Sequence, residues 1–111
     1  MKRVFITGVS GYFGPKLVSL MEKKEDVGEI IGVDIKQPSF SSEKLTFFRH
    51  DVRDDFLPLI EGKGIDWAIH TAYILPPIHD KCLMEDININ GTINFLNACA
   101  HAAVPQIVQC S

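Results

Sequence analysis

The sequence predicts an α/β domain built on a doubly wound parallel sheet with strand order 3-2-1-4-5. Three observations carry that expectation. Short apolar runs alternate with helical patterns along the chain, joined by short connections, as in a parallel sheet covered on both faces. The first run leads into three glycines at a spacing of three, Gly8, Gly11 and Gly14, and a helical pattern starts directly after them. The second run ends in an acid, Asp34, about 20 residues past the turn. Right-handed crossovers from a first strand that carries the glycine turn then give the strand order.

Each element follows from its residues. Val4-Phe5-Ile6 is a short apolar run with β-branched ends and reads as a buried strand. Pro15 suits the first turn of the next helix, where its missing N–H has no intrahelical partner. Leu17, Val18, Leu20 and Met21 repeat at helical spacing, and residues 22–26 are the solvated end of that helix. Residues 29–34 are the second strand, 36–42 a polar, proline-containing loop, and 45–49 the third strand. Residues 56–60 read as a short helix with Pro58 in its first turn, and 65–70 as the fourth strand. A loop through Pro76-Pro77 leads into a long helix from about Lys81 to Ala103. Leu83, Ile87, Ile93, Phe95, Leu96, Cys99 and Ala103 form its broad buried face. Residues 106–111 are the fifth strand, in or just after which the chain stops.

A strand, a glycine turn and a helix N-terminus together suit an anion. Glycine lets the backbone turn tightly and approach a ligand, and the free N–H groups of the first helical turn point at it. A dinucleotide pyrophosphate is the usual occupant. Asp34 is placed to accept hydrogen bonds from the ribose hydroxyls of the adenosine half. The same carboxylate would repel a 2′-phosphate, which favours NAD over NADP, with Lys36 nearby softening the preference. A mononucleotide P-loop is excluded, since no Gly-Lys-Ser/Thr closes the turn.

Composition narrows the classes further. The formal net charge of −3 comes without a basic block, so nucleic acid is not an expected partner. No apolar run approaches bilayer length, so no membrane is expected either. Cys82, Cys99 and Cys110 are odd in number and match no metal or redox spacing; they read as small buried hydrophobes in a reducing cytoplasm, with no metal site.

In these residues the chain resembles, over its whole length, the extended short-chain dehydrogenase/reductases, the NAD-dependent epimerase/dehydratase family. Thr7-Gly8-Val9-Ser10-Gly11-Tyr12-Phe13-Gly14 is similar to the family's TGxxGxxG turn, and Asp34 to its ribose-binding acid. Asp51-Val52 resembles the pair that holds the adenine ring, although Asp51 also reads as a helix N-cap for a segment starting at Arg53. His70-Thr71-Ala72 resembles the H-x-A segment that lies along the cofactor. Tyr73 stands where a small residue is frequent. Asn88-Ile89-Asn90-Gly91-Thr92-Ile93-Asn94 resembles the N-x-x-G-T-x-N helix motif, whose leading asparagine lies near the cofactor.

The resemblance implies a Rossmann-type dinucleotide-binding domain over residues 1–111, cut after its fifth strand, whose cofactor residues are Gly8, Gly11, Tyr12, Phe13, Gly14, Asp34, Asp51, Val52, Thr71, Ala72, Tyr73 and Asn88. It implies hydride transfer between NAD and a sugar nucleotide or related alcohol, in a cytoplasmic enzyme that is a homodimer when complete. Proton transfer in the family falls to a Tyr-x-x-x-Lys pair, expected farther along than this chain reaches, so the chain alone is expected to be inert. Ser111 is the candidate catalytic residue: either the neighbour of the catalytic hydroxyl at the end of strand five or, with a one-residue slip, that residue itself. His70 reads as a packed histidine with no chemistry. A dinucleotide-binding sensor without turnover is the alternative. A methyltransferase is disfavoured by the Asp51-Val52 and N-x-x-G-T blocks.

Overall fold

The computed structural model describes residues 1–71 and 81–109. Strands β1 (Lys2–Thr7), β2 (Val27–Asp34), β3 (Leu45–Arg49), β4 (Trp67–His70) and β5 (Gln106–Gln109) form one sheet in the order β3-β2-β1-β4-β5. All neighbours are parallel, with Val4 opposite Ile30 on one side and opposite Trp67 on the other. Helices α1 (Gly14–Glu22), α2 (Leu57–Ile60), α3 (Lys81–Glu85) and α4 (Gly91–His101) connect them, with a π turn over Asp86–Asn90 between α3 and α4. The predicted strand order holds.

The apolar run of β1 is continuous because both of its faces are covered. Phe5 points to one side, where Ile31, Val33 and Ala68 meet Phe56, Ile60, Phe95, Ala98 and Cys99. Val4 and Ile6 point to the other, packing with Ile30, Ile69 and Val18 of α1. Phe5 is fully buried between Phe95, stacked at 6.2 Å, and Phe56, edge-on at 5.7 Å. Truncating such a ring to alanine costs about 3–5 kcal/mol.

The boundaries differ from expectation in small ways: β1 begins at Lys2, β2 at Val27 and β4 only at Trp67. The long helix differs more. It ends at His101, and Ala103 lies beyond it at φ 56°. Its buried residues are Gly91, Phe95, Ala98 and Cys99, whereas Leu83, Ile93 and Leu96 are exposed. Within α4 the reason is phase: Gly91, Phe95, Ala98 and Cys99 share one face at 3.6-residue spacing, and Ile93 and Leu96 lie off it. On α1, Leu20 is likewise exposed. Asp51 caps no helix. Its Oδ1 accepts the Arg53 amide at 2.9 Å within a turn, and α2 starts only at Leu57, whose amide donates to Asp55 Oδ1 at 3.0 Å. Cys110, Ser111, Ala72, Tyr73 and the Pro76-Pro77 loop lie outside the described residues.

Candidate functional site

The carboxyl ends of β1, β2, β3 and β4 gather the predicted residues, on either side of the point where the chain order in the sheet reverses. The Gly8 and Val9 amides both donate to the Val33 carbonyl, at 2.9 and 3.2 Å, and Gly11 N–H donates to the Gly8 carbonyl at 3.0 Å. Gly8 sits at φ 72°, in the region glycine adopts without penalty. Gly14 is required for another reason: a β carbon there would lie 2.1 Å from the Val9 carbonyl oxygen. The start of α1 is pressed directly onto the turn.

No side chain caps α1, and no acid lies in its first turn. The amides of that turn have no intrahelical acceptor, so their donor capacity and the positive end of the helix dipole are open to an anion. Tyr12 and Phe13 flank this end, exposed, their rings edge to face at 5.1 Å. The Lys16 ammonium lies 4.3 Å above the Tyr12 ring. Tyr12 and Lys16 thereby stand at Tyr-x-x-x-Lys spacing, which corrects the expectation that the chain lacks it. Tyr12 precedes the helix and belongs to the glycine turn, so the match is one of spacing within that turn.

Asp34 ends β2, half-buried beside the turn. Its Oδ2 accepts the Ser10 amide at 3.0 Å and its Oδ1 the Lys36 amide at 3.2 Å, while Ser10 Oγ donates to the Lys36 carbonyl at 2.6 Å. A carboxylate has about four acceptor positions, so capacity is left for ribose hydroxyls. Ser10 was not singled out from the sequence, because its contribution is a main-chain amide.

Asp51 is held by Arg53. The guanidinium meets Oδ2 at 2.6 Å and Oδ1 at 3.0 Å, and it holds the Asp51 carboxyl below its ordinary range. Arg53 also reaches Asp86 of the π turn at 3.4 Å. Val52 is buried against Gly91, and its carbonyl accepts the Asn94 side-chain amide at 3.0 Å. The loop after β3 is thus fastened to the helix that carries Asn88.

Thr71 ties β4 to β1. Its hydroxyl donates to the Thr7 carbonyl at 2.6 Å, and its amide lies 3.2 Å from Thr7 Oγ1. His70 is fully buried, stacked on Phe95 at 4.7 Å, with Nδ1 2.6 Å from Thr7 Oγ1 and Nε2 3.2 Å from Thr92 Oγ1. Burial pushes its pKa down to about 4, so the ring is neutral at physiological pH. A surface depression lined by Met1, Arg3, Glu29, Lys44 and Lys63 lies at the opposite, amino ends of the strands. Among the described residues no group of three or more His, Cys, Asp or Glu is arranged to hold a metal, and no helix is long and apolar enough to cross a membrane.

Residues 5–111 match the 3-beta hydroxysteroid dehydrogenase/isomerase family. The chain belongs to that family. It is an epimerase/dehydratase-like group of short-chain dehydrogenase/reductases, in agreement with the resemblance in the glycine turn and the helix motif. The fold is shared with uronate dehydrogenase from Agrobacterium tumefaciens, at TM-score 0.83 and 20% identity, over 100% of this chain and 41% of that one. It is also shared with UDP-glucuronic acid 4-epimerase from Bacillus cereus in complex with NAD, at TM-score 0.80 and 22% identity, over 96% and 39% of the two chains. The Bordetella bronchiseptica enzyme WbmH in complex with NAD+ matches at TM-score 0.81 and 26% identity, over 96% and 38%. The chain spans about two fifths of the length of these solved relatives.

Proposed function

We propose that the chain is the NAD-binding portion of an NAD-dependent epimerase/dehydratase or dehydrogenase that acts on a sugar nucleotide or related alcohol. The observation that carries this reading is the uncapped start of α1 lying on a turn so close that Gly14 admits no β carbon, with Asp34 fixed beside it. That cradle suits a pyrophosphate joined to an adenosine ribose. The family and the NAD complexes among the solved structures of this fold support it.

In this reading the backbone of Gly8, Gly11, Tyr12, Phe13 and Gly14 holds the pyrophosphate, Asp34 the ribose and Asp51-Val52 the adenine. Thr71, Ala72, Tyr73 and Asn88 run along the nicotinamide half. Bound NAD would supply a hydride acceptor at C4 of its nicotinamide. The chain's own residues bind and orient it; Ser111 is the candidate for orienting the substrate hydroxyl. The described residues supply no proton-transfer group in a buried cleft, and we assign none. The family's description names a hydroxysteroid dehydrogenase/isomerase, and solved structures of this fold name a uronate dehydrogenase and a UDP-glucuronic acid 4-epimerase, which supports an alcohol of a sugar or related ring as the substrate class. The complete protein is read as a cytoplasmic homodimer.

Titration of the full-length protein with NAD and NADP, followed by NADH formation and product analysis with UDP-glucuronate and with a 3β-hydroxysteroid, tests the proposal. NAD binding is expected, with either net NADH (a dehydrogenase) or conversion of the sugar nucleotide without net NADH, the hydride returning to the substrate (an epimerase or dehydratase). Failure to bind NAD would overturn the cofactor reading. Binding without turnover of any alcohol would favour a sensor.

A further inference from the structure

The hydrogen bonds around buried His70 run in one direction only. The Asn88 carbonyl can only accept, so the Thr92 hydroxyl, 2.6 Å away, spends its proton there. The Thr92 oxygen must then accept from His70 Nε2, which puts the ring hydrogen on Nε2. A neutral imidazole has one N–H, so Nδ1 accepts, and its donor is the Thr7 hydroxyl at 2.6 Å. The Thr71 amide in turn is shared between Thr7 Oγ1 and the Thr7 carbonyl, each at 3.2 Å. The chain therefore runs from β4 through β1, back through His70 and into the π turn, each bond polarising the next. The ring stacks on Phe95, and its full burial disfavours the charged form.

π turns are rare, and within helices they recur at functional sites. This one lies over Asp86–Asn90 and carries Asn88, the leading asparagine of the helix motif. One side of it is tied to the loop after β3 through Arg53 and Asp86, and Asn90 holds the same Asp86 at 2.5 Å. A further tie is the Thr92 hydroxyl on the Asn88 carbonyl.

We propose that His70 and Thr92 are positioning residues for Asn88: the relay from the glycine-turn strand through the imidazole fixes the π turn, and with it the asparagine on the nicotinamide side of the site. The second half of this statement rests on the cofactor reading given above; the first does not. His70 in this role touches no substrate and transfers no proton.

The test uses the full-length protein. Nitrogen-15 NMR of the His70 ring at neutral pH is expected to show the hydrogen on Nε2; hydrogen on Nδ1 would overturn the relay. Thr92→Val keeps the side-chain shape but removes the donor, and amide exchange over residues 88–92 is expected to quicken about tenfold, with Thr92→Ser restoring it. Unchanged exchange in Thr92→Val, or no recovery in Thr92→Ser, would overturn the positioning role. For NADH binding, Thr92→Val and Asn88→Ala are each expected to weaken affinity about threefold to tenfold, the size of one lost hydrogen bond. The double variant should bind no worse than Asn88→Ala alone, because Thr92 acts through Asn88. Additive losses would overturn that link. Normal NADH binding by Asn88→Ala would instead overturn the placement of Asn88 at the cofactor, while the ring and exchange measurements still decide the π turn.

Discussion

The α carbon of Gly14 lies so close to Val9 that a β carbon on it would stand 2.1 Å from the Val9 carbonyl oxygen. The obstacle is backbone within the turn itself, so no side-chain rotation relieves it. Gly14→Ala should therefore force α1 off the turn, costing about 3 kcal/mol of stability and abolishing NAD binding. Urea unfolding and calorimetric titration measure the two losses. A variant of parental stability would show that the helix start has freedom to move.

Asp34 provides the clearest test of cofactor choice. Its carboxylate is pinned by the Ser10 and Lys36 amides and cannot swing away from a 2′-phosphate. NAD should bind more tightly than NADP, and Asp34→Ala should narrow the difference by about tenfold or more. Tighter NADP binding by the parent protein would overturn the assignment. Ser10→Ala removes only the bond to the Lys36 carbonyl, so it should shift the ratio far less.

What was legible from the sequence was local. Glycine spacing, a strand ending in an acid and alternating periodicities are each set by neighbours in the chain; they gave the strand order, and they point to the candidate site at the glycine turn. Three features depended on distant partners instead. The π turn is held by Arg53 from the loop after β3 and by a hydroxyl relay that starts on β1, neither of which leaves a periodic trace in residues 86–90. Leu20, Leu83, Ile93 and Leu96 are apolar at helical spacing, but spacing does not say which apolar residues meet the sheet. His70 looked like an ordinary strand-end histidine because its partners, Thr7 and Thr92, lie 63 and 22 residues away.

Asp51 is expected to serve the adenine although Arg53 already engages both of its oxygens. Asp51→Asn reverses the hydrogen-bonding sense of one oxygen and weakens the hold on Arg53. NAD affinity should fall about threefold to tenfold with little change in stability, since the ion pair is partly exposed. Parental NAD affinity in a normally folded Asp51→Asn variant would leave Asp51 with the loop-fastening role alone.

The neutral state of His70 makes stability depend on pH. Its folded pKa is depressed from 6.5 to about 4, so the unfolded chain binds the extra proton first as pH falls. The contribution is fully present above pH 6.5 and is lost progressively down to about 4, amounting to at most about 3 kcal/mol. Asp51, held low by its arginine, loses its contribution at lower pH. His70→Asn removes the titrating group, so the difference in unfolding free energy between parent and variant should shrink as pH drops from 7 to 4.5. The parent loses the advantage of its neutral imidazole over that interval, and the variant has none to lose. A difference that stays constant across the interval would mean that His70 titrates normally, and that the imidazole is not held neutral between Thr7 and Thr92.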